Sequence, residues 1–154
     1  MNCIDKERFA ELIKEYQLSM YRLSFGILKN ETMVEDVISE SIIKAYEHIG
    51  ELRNQKKFKS WIMTIVANES KNQLKKGKRE ALIEDFREFE AEAYAKDTDV
   101  WKVVMELDEI YSKVIVLYYY EGFSVREIAK ILGISMGTVK SRLSRARTKL
   151  REIL

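Results

Sequence analysis

From Lys140 to Arg151 the chain carries Lys140, Arg142, Arg145, Arg147, Lys149 and Arg151, six cations with no carboxylate between them. A row of that sign neutralises phosphates, and Arg or Lys can also donate to O6 and N7 of guanine in a major groove. Interleaved with it, Val139, Leu143, Ala146 and Leu150 recur at spacings of four, three and four, one face of an α-helix. The free face is therefore cationic, and Thr138, Lys140, Ser141, Arg142, Arg145 and Arg147 are the candidate contacts to duplex DNA. A second group, Asn68, Lys71, Asn72 and Lys75, also falls at three- and four-residue spacings, so one helical face could track a nucleic-acid strand. A third, Asp36 and Glu40, is four residues apart beside Lys44. Those acids either make i,i+4 pairs on a surface helix or, with Val37, Ile38 and Ser41, form a mixed docking surface. Nothing comparable serves catalysis: the one histidine, His48, and dispersed carboxylates lack the clustered acid set or base that a hydrolase needs. No enzyme is expected, and no cofactor.

The cationic helix must be held by a partner, and Ser124 to Ser135 supplies one. Ser124 and Glu127 form an S-x-x-E capping box that fixes where a first short helix begins. Ile128, Ala129, Ile131 and Leu132 give that helix an apolar face, with small Ala129 where a second helix crosses closely. Gly133 can take the positive φ that ends it, Ile134 tucks under the turn, and Ser135 can cap the next helix. The pattern is a helix-turn-helix.

Upstream, Phe9, Leu12, Ile13, Tyr16, Met20, Leu23 and Ile27 follow a helical stripe that ends near Lys29 and Asn30. Thr32 and Glu35 read as a second capping box, opening a helix to about Ile49 through Val34, Val37, Ile38, Ile42 and Tyr46, with Gly50 closing it. Glu51 to Lys57 has no periodicity and is expected to be a loop. Phe58, Trp61, Ile62, Ile65, Val66 and Leu74 mark a third helix, with Phe58 and Trp61 on its apolar stripe. Near Val100 a second series begins, with Val103, Val104, Leu107 and Ile110 feeding through Val114, Ile115, Leu117 and Tyr118 into the helix-turn-helix.

With no proline and few alternating runs, the 154 residues are expected to be all-α. They divide into two small helical domains, residues 1–76 and 100–154, joined by an acidic linker at 77–99. That linker holds eight acidic residues against four basic ones, whereas Asn68 to Arg79 holds five cations and one carboxylate. Net charge is only +2, so the distribution rather than the average points to nucleic acid. The single cysteine, Cys3, excludes an internal disulfide, and one histidine cannot build a Cys/His cluster, so no metal is expected. No apolar run approaches the ~18 residues of a membrane span, and MNCIDKERF does not read as a signal peptide. Membrane insertion is not expected; a cytoplasmic location is.

Three segments together resemble one family, the extracytoplasmic-function group of bacterial sigma factors, the promoter-specificity subunits of RNA polymerase. VEDVISESIIKAYEHI, from Val34, is similar to its core-binding helix, with Glu35, Asp36, Glu40 and Ala45 at matching positions. FKSWIMTIVANESKNQLKK, from Phe58, resembles its promoter −10 segment at Phe58, Trp61, Ile65, Asn68 and Leu74. YYYEGFSVREIAKILGISMGTVKSRLSRARTKLRE resembles its −35 reader, most specifically in the run from Gly137 to Leu143. The resemblance implies that Glu35, Asp36 and Glu40 dock on the clamp helices of the polymerase largest subunit. It also implies a contact with the flap of the second-largest subunit, promoter DNA as ligand, and room for an anti-sigma factor as a further partner. It assigns the loop Glu51–Lys57 to capture of a flipped −10 base, which makes Arg53, Asn54 and Gln55 candidates beside Asn68, Lys71, Asn72 and Lys75. Ala67 and Asn72 stand where many members have arginine and aspartate, so the family's −10 preference does not carry over to this chain; Asp108 stands where most have proline. The rival reading is a helix-turn-helix regulator that acts without core polymerase and has no need of the Val34–Lys76 block.

Overall fold

A computed structural model describes residues 4–80 and 98–154. Among the described residues there are seven α-helices and no strand: α1 (Lys6–Leu28), α2 (Glu31–His48), α3 (Phe58–Glu80), α4 (Thr98–Met105), α5 (Glu109–Ile115), α6 (Val125–Leu132) and α7 (Met136–Ile153). The expected linker falls largely on residues 81–97, outside the described residues.

Local chemistry sets the ends of the first two helices. Asp5 caps α1 by accepting from the Arg8 N–H at 2.7 Å, and Lys29, at φ 54°, turns the chain out of it. The start of α2 differs from the expected Thr32–Glu35 box. Asn30 is the cap, accepting from the Met33 N–H at 3.0 Å, so the helix opens at Glu31. Asn is as good a cap as Thr, and being two residues earlier it claims the free donors first. Gly50 lies in a 3-10 turn, Ile49–Glu51, and the expected loop is tightened by a second such turn, Gln55–Lys57, capped by Asn54.

The apolar stripes pack α1, α2 and α3 into a three-helix unit. Met20, Leu23, Val34, Phe58, Ile62, Met63 and Val66 are all fully buried there, each contributing about 1.5–3 kcal/mol of burial for the larger side chains. Phe58 sits among Phe9, Tyr16 and Trp61, as its stripe position predicts. Inside this unit Ser24 and Ser70, both fully buried, satisfy one another at 3.0 Å across α1 and α3. Tyr46 departs from the stripe: it is 50% exposed and touches Phe9 edge-on.

The second unit is α4 to α7. Trp101 on α4 is its largest buried side chain, and α5 runs on into a π-helical segment, Val116–Tyr120, whose wide turn is closed by the Glu121 N–H on the Val116 carbonyl. The two units are in contact. α1 presents Arg22, Phe25, Gly26 and Lys29, one helical face, to α4, α5 and the π segment. Phe25 stacks on Trp101, the Ser112 hydroxyl donates to the Gly26 carbonyl, and Gly26 lets the Val116 side chain approach. A β-carbon at Gly26 would lie 3.2 Å from Val116 Cγ2. Burial at this seam holds the Lys29 ammonium below its ordinary pKa, against the opposing pull of Asp108 and Glu109.

Candidate nucleic-acid interface

In the helix-turn-helix, sequence and structure agree atom by atom. The Glu127 N–H donates to Ser124 Oγ at 3.1 Å while the Ser124 N–H donates to Glu127 Oε1 at 3.0 Å, so both halves of the capping box form. Gly133 takes φ 66°, and the Ile134 N–H reaches back to the Ala129 carbonyl. Ser135 caps α7 through the Thr138 N–H at 3.1 Å, and its hydroxyl also meets that of Thr138 at 2.8 Å. Val139, Leu143 and Ala146 are buried against α5 and α6. This leaves Lys140, Ser141 and Arg145 exposed and Arg142 half-buried on one helix. Arg147 is held differently, with its Nε donating to the Tyr119 hydroxyl at 2.7 Å and its guanidinium over the Tyr118 and Tyr119 rings. Thr138 and Arg147 thus already have partners within the domain, while Lys140, Ser141 and Arg145 face water.

The α3 row is assembled as the spacing predicts. Asn68, Lys71, Asn72 and Lys75 are all exposed. Asn68, Lys71 and Lys75 also line a cleft of about 180 Å³ whose other wall is Glu109, Lys113 and Leu132 of the second unit. At the foot of α3, Arg53 and Asn54 are exposed and Gln55 is half-buried. The Asn54 side-chain oxygen accepts from the Lys56 N–H at 3.0 Å, so its amide NH₂ is the group left to meet a base edge.

On α2, Glu35, Asp36 and Glu40 are exposed. Lys44 does not close an i,i+4 pair with Glu40; its ammonium donates to Glu69 of α3, and that bond raises its pKa. A groove of about 530 Å³ runs between the helices, lined by Asp36, Val37, Glu40, Lys44, Glu69 and Asn72 among others. Ile43 and Tyr46, 52% and 50% exposed, add apolar surface to the C-terminal half of α2; the periodicity had placed Tyr46 on the buried stripe and passed over Ile43. The sequence reading also missed Arg22, Lys59 and Glu121. Their one signal is Gly26, a glycine inside a long helix, where it costs about 1 kcal/mol relative to alanine and so marks a close approach.

Two family models match the chain: "Sigma-70 region 2" over residues 12–80 and "Sigma-70, region 4" over residues 98–150. The RNA polymerase sigma factor SigV of Bacillus subtilis is 34% identical over 145 residues, covering 92% of this chain and 87% of that protein. The ECF RNA polymerase sigma factor SigW of the same organism is 28% identical over 169 residues, covering 97% and 90%. Among solved structures, the sigma factor RpoE of Bartonella quintana, in complex with the anti-sigma factor NepR, superposes with a TM-score of 0.75 at 27% identity, covering 92% of this chain and 95% of that one. The chain belongs to the sigma-70 family of RNA polymerase sigma factors, in its extracytoplasmic-function group. Its function is that of a sigma factor: it directs core RNA polymerase to promoters and aids opening of the −10 element. Among the described residues no helix is long and apolar enough to cross a membrane.

Proposed function

We propose that the two units divide promoter recognition between them. Residues 1–76 hold core polymerase and the opened −10 element, residues 100–154 read the duplex −35 element, and 77–99 joins them. Polymerase docks through Glu35, Asp36 and Glu40, exposed carboxylates on α2 followed toward its C-terminus by exposed Ile43, a mixed charged and apolar surface. The clamp helices of the largest subunit are the partner there. A second groove, about 400 Å³ and lined by Val104, Ile115, Tyr119 and Leu150, fits an apolar helix and suits the flap of the second-largest subunit.

On the DNA side, Lys140, Ser141, Arg142 and Arg145 enter the major groove with Thr138 at the helix start, and Arg147 braces the aromatic pair behind them while remaining within reach of a phosphate. Asn68, Lys71, Asn72 and Lys75 follow the separated strand, with Arg53, Asn54 and Gln55 at its extruded base. The observation that carries this reading is the capped helix-turn-helix with an exposed row of Lys140, Ser141 and Arg145. The protein performs no chemistry of its own, acts in the cytoplasm, and is open to control by an anti-sigma factor of the kind bound to the similar RpoE.

The test is co-elution with purified core polymerase. Asp36→Lys with Glu40→Lys should weaken association by roughly tenfold or more, about 1.4 kcal/mol. Undiminished co-elution would remove the acidic face of α2 from the interface.

A further inference from the structure

Two sets of ion pairs tie together elements far apart in the chain. At the seam between the units, Arg22 and Lys59 meet the buried Glu121 carboxylate at 2.7 and 3.5 Å. The other lies inside the first unit and joins α2 to α3, where the Lys44 ammonium donates to Glu69. Lys44 passes over two acids of its own helix to make that bond, Glu40 four residues before it and Glu47 three residues after it. The bond to Glu69 raises the Lys44 pKa against a smaller effect of desolvation, and attraction to Glu40 and Glu47 adds to the rise, so the group stays cationic. The two partners are unequally placed, 42% exposed for the Lys44 side chain and 13% for that of Glu69. An ion pair with so open a cation adds little to stability. Its larger effect is on the field around α3.

The position of the pair gives that field a consequence. Glu69 is the one carboxylate between Asn68 and Arg79, a stretch that otherwise carries five cations. It follows Asn68 directly and precedes Asn72 by three residues, so it stands on the flank of the row formed by Asn68, Lys71, Asn72 and Lys75. Lys44 and Glu69 both line the groove of about 530 Å³ that also holds Asp36, Glu40 and Asn72. Both also line a second hollow, of about 300 Å³, with Trp61 and Asn68. The bridge is therefore the ridge between the two, with one asparagine of the row on either side of it. An unpaired carboxylate at that point would repel any phosphate passing within a Debye length, about 10 Å at about 0.1 M salt.

We propose that Lys44 is a positioning residue for the separated strand: by holding Glu69 toward α2 and cancelling its charge, it keeps the path across Asn68 and Asn72 open to phosphates. This rests on the assignment of the α3 row to the −10 strand and on no contact between Lys44 and DNA.

A double-mutant cycle tests it. The repulsion is indifferent to base sequence, so the probe is a labelled DNA single strand of mixed sequence. It is titrated against holoenzyme assembled from core polymerase and the full chain, with core polymerase alone as the baseline. Lys44→Met should weaken binding about three- to tenfold at low salt, and the gap should narrow as salt is raised. Lys44→Arg should bind as the wild type does. So should Lys44→Met combined with Glu69→Gln, which leaves no carboxylate to cancel, and Glu69→Gln alone should bind at least as tightly as the wild type. If Lys44 itself touched a phosphate, the double variant would stay as weak as Lys44→Met; if the pair only braced the helices, Glu69→Gln would weaken binding too. Either result overturns the proposal, as does a Lys44→Met variant that binds like the wild type. Should Lys44→Met lose helix by circular dichroism or fail to load on core polymerase, Lys44→Gln takes its place in the cycle, and the same failure in both assigns the pair to the fold and overturns the proposal. Wild-type binding by Lys71→Ala in the same assay would instead sink the strand-reading assignment of α3, whatever the cycle shows.

Discussion

The two cationic rows are alike in sequence and different in setting. On α7, Lys140, Ser141 and Arg145 face water, supported from behind by Val139, Leu143 and Ala146. On α3, Asn68, Lys71 and Lys75 are exposed but border the wall formed by Glu109, Lys113 and Leu132. The proposed function gives each row a different ligand. Duplex DNA presents its groove without rearrangement and a separated strand exists only after opening, so under the proposed function the α7 row meets a standing groove and the α3 row meets its ligand later. The seam beside the α3 row also merges the apolar interiors of the two units into one buried cluster.

That merger gives the largest effect and the sharpest way to break the comparison. Ile62 on α3 and Ile128 on α6 are both fully buried, and α3 packs on α6. Either Ile→Ala change should cost about 2–5 kcal/mol, and each should lower the melting of both units together in a single calorimetric transition. Two separable transitions, only one of them shifted, would show that the units fold without regard to each other. The smaller effects sharpen the contrast between the rows. Arg142→Ala should weaken −35 duplex binding by about 1–3 kcal/mol and relax sequence preference, if one bidentate guanine contact is lost. Lys71→Ala should act on a −10 single strand instead, reducing the slope of log affinity against log salt by about 0.7 for one phosphate contact. An Arg142 variant with unchanged duplex binding, or a Lys71 variant with an unchanged slope, would take that residue out of its row.

What was legible in the chain was whatever local chemistry decides. Ser124 with Glu127, Gly133 and Ser135 each act within a few residues, and each took the predicted conformation. The apolar stripes of α1 and α3 were equally plain, because burial of one face is written every three or four residues. The start of α2 misled because two caps compete there, and Asn30 lies ahead of Thr32. The partner of Lys44 was out of view: its i−4 neighbour Glu40 was visible in sequence, but Glu69, on another helix, was not. The Arg22–Glu121 ion pair was hidden altogether, since the two residues are 99 apart and neither sits in a motif. Only Gly26 pointed to it.

Run-off transcription with purified core polymerase on a pool of genomic templates shows whether this chain selects promoters. Discrete transcripts should appear that require this chain and share upstream elements at two fixed positions, with Arg142→Ala losing dependence on the upstream one. Transcripts no different from those of core polymerase alone would contradict it.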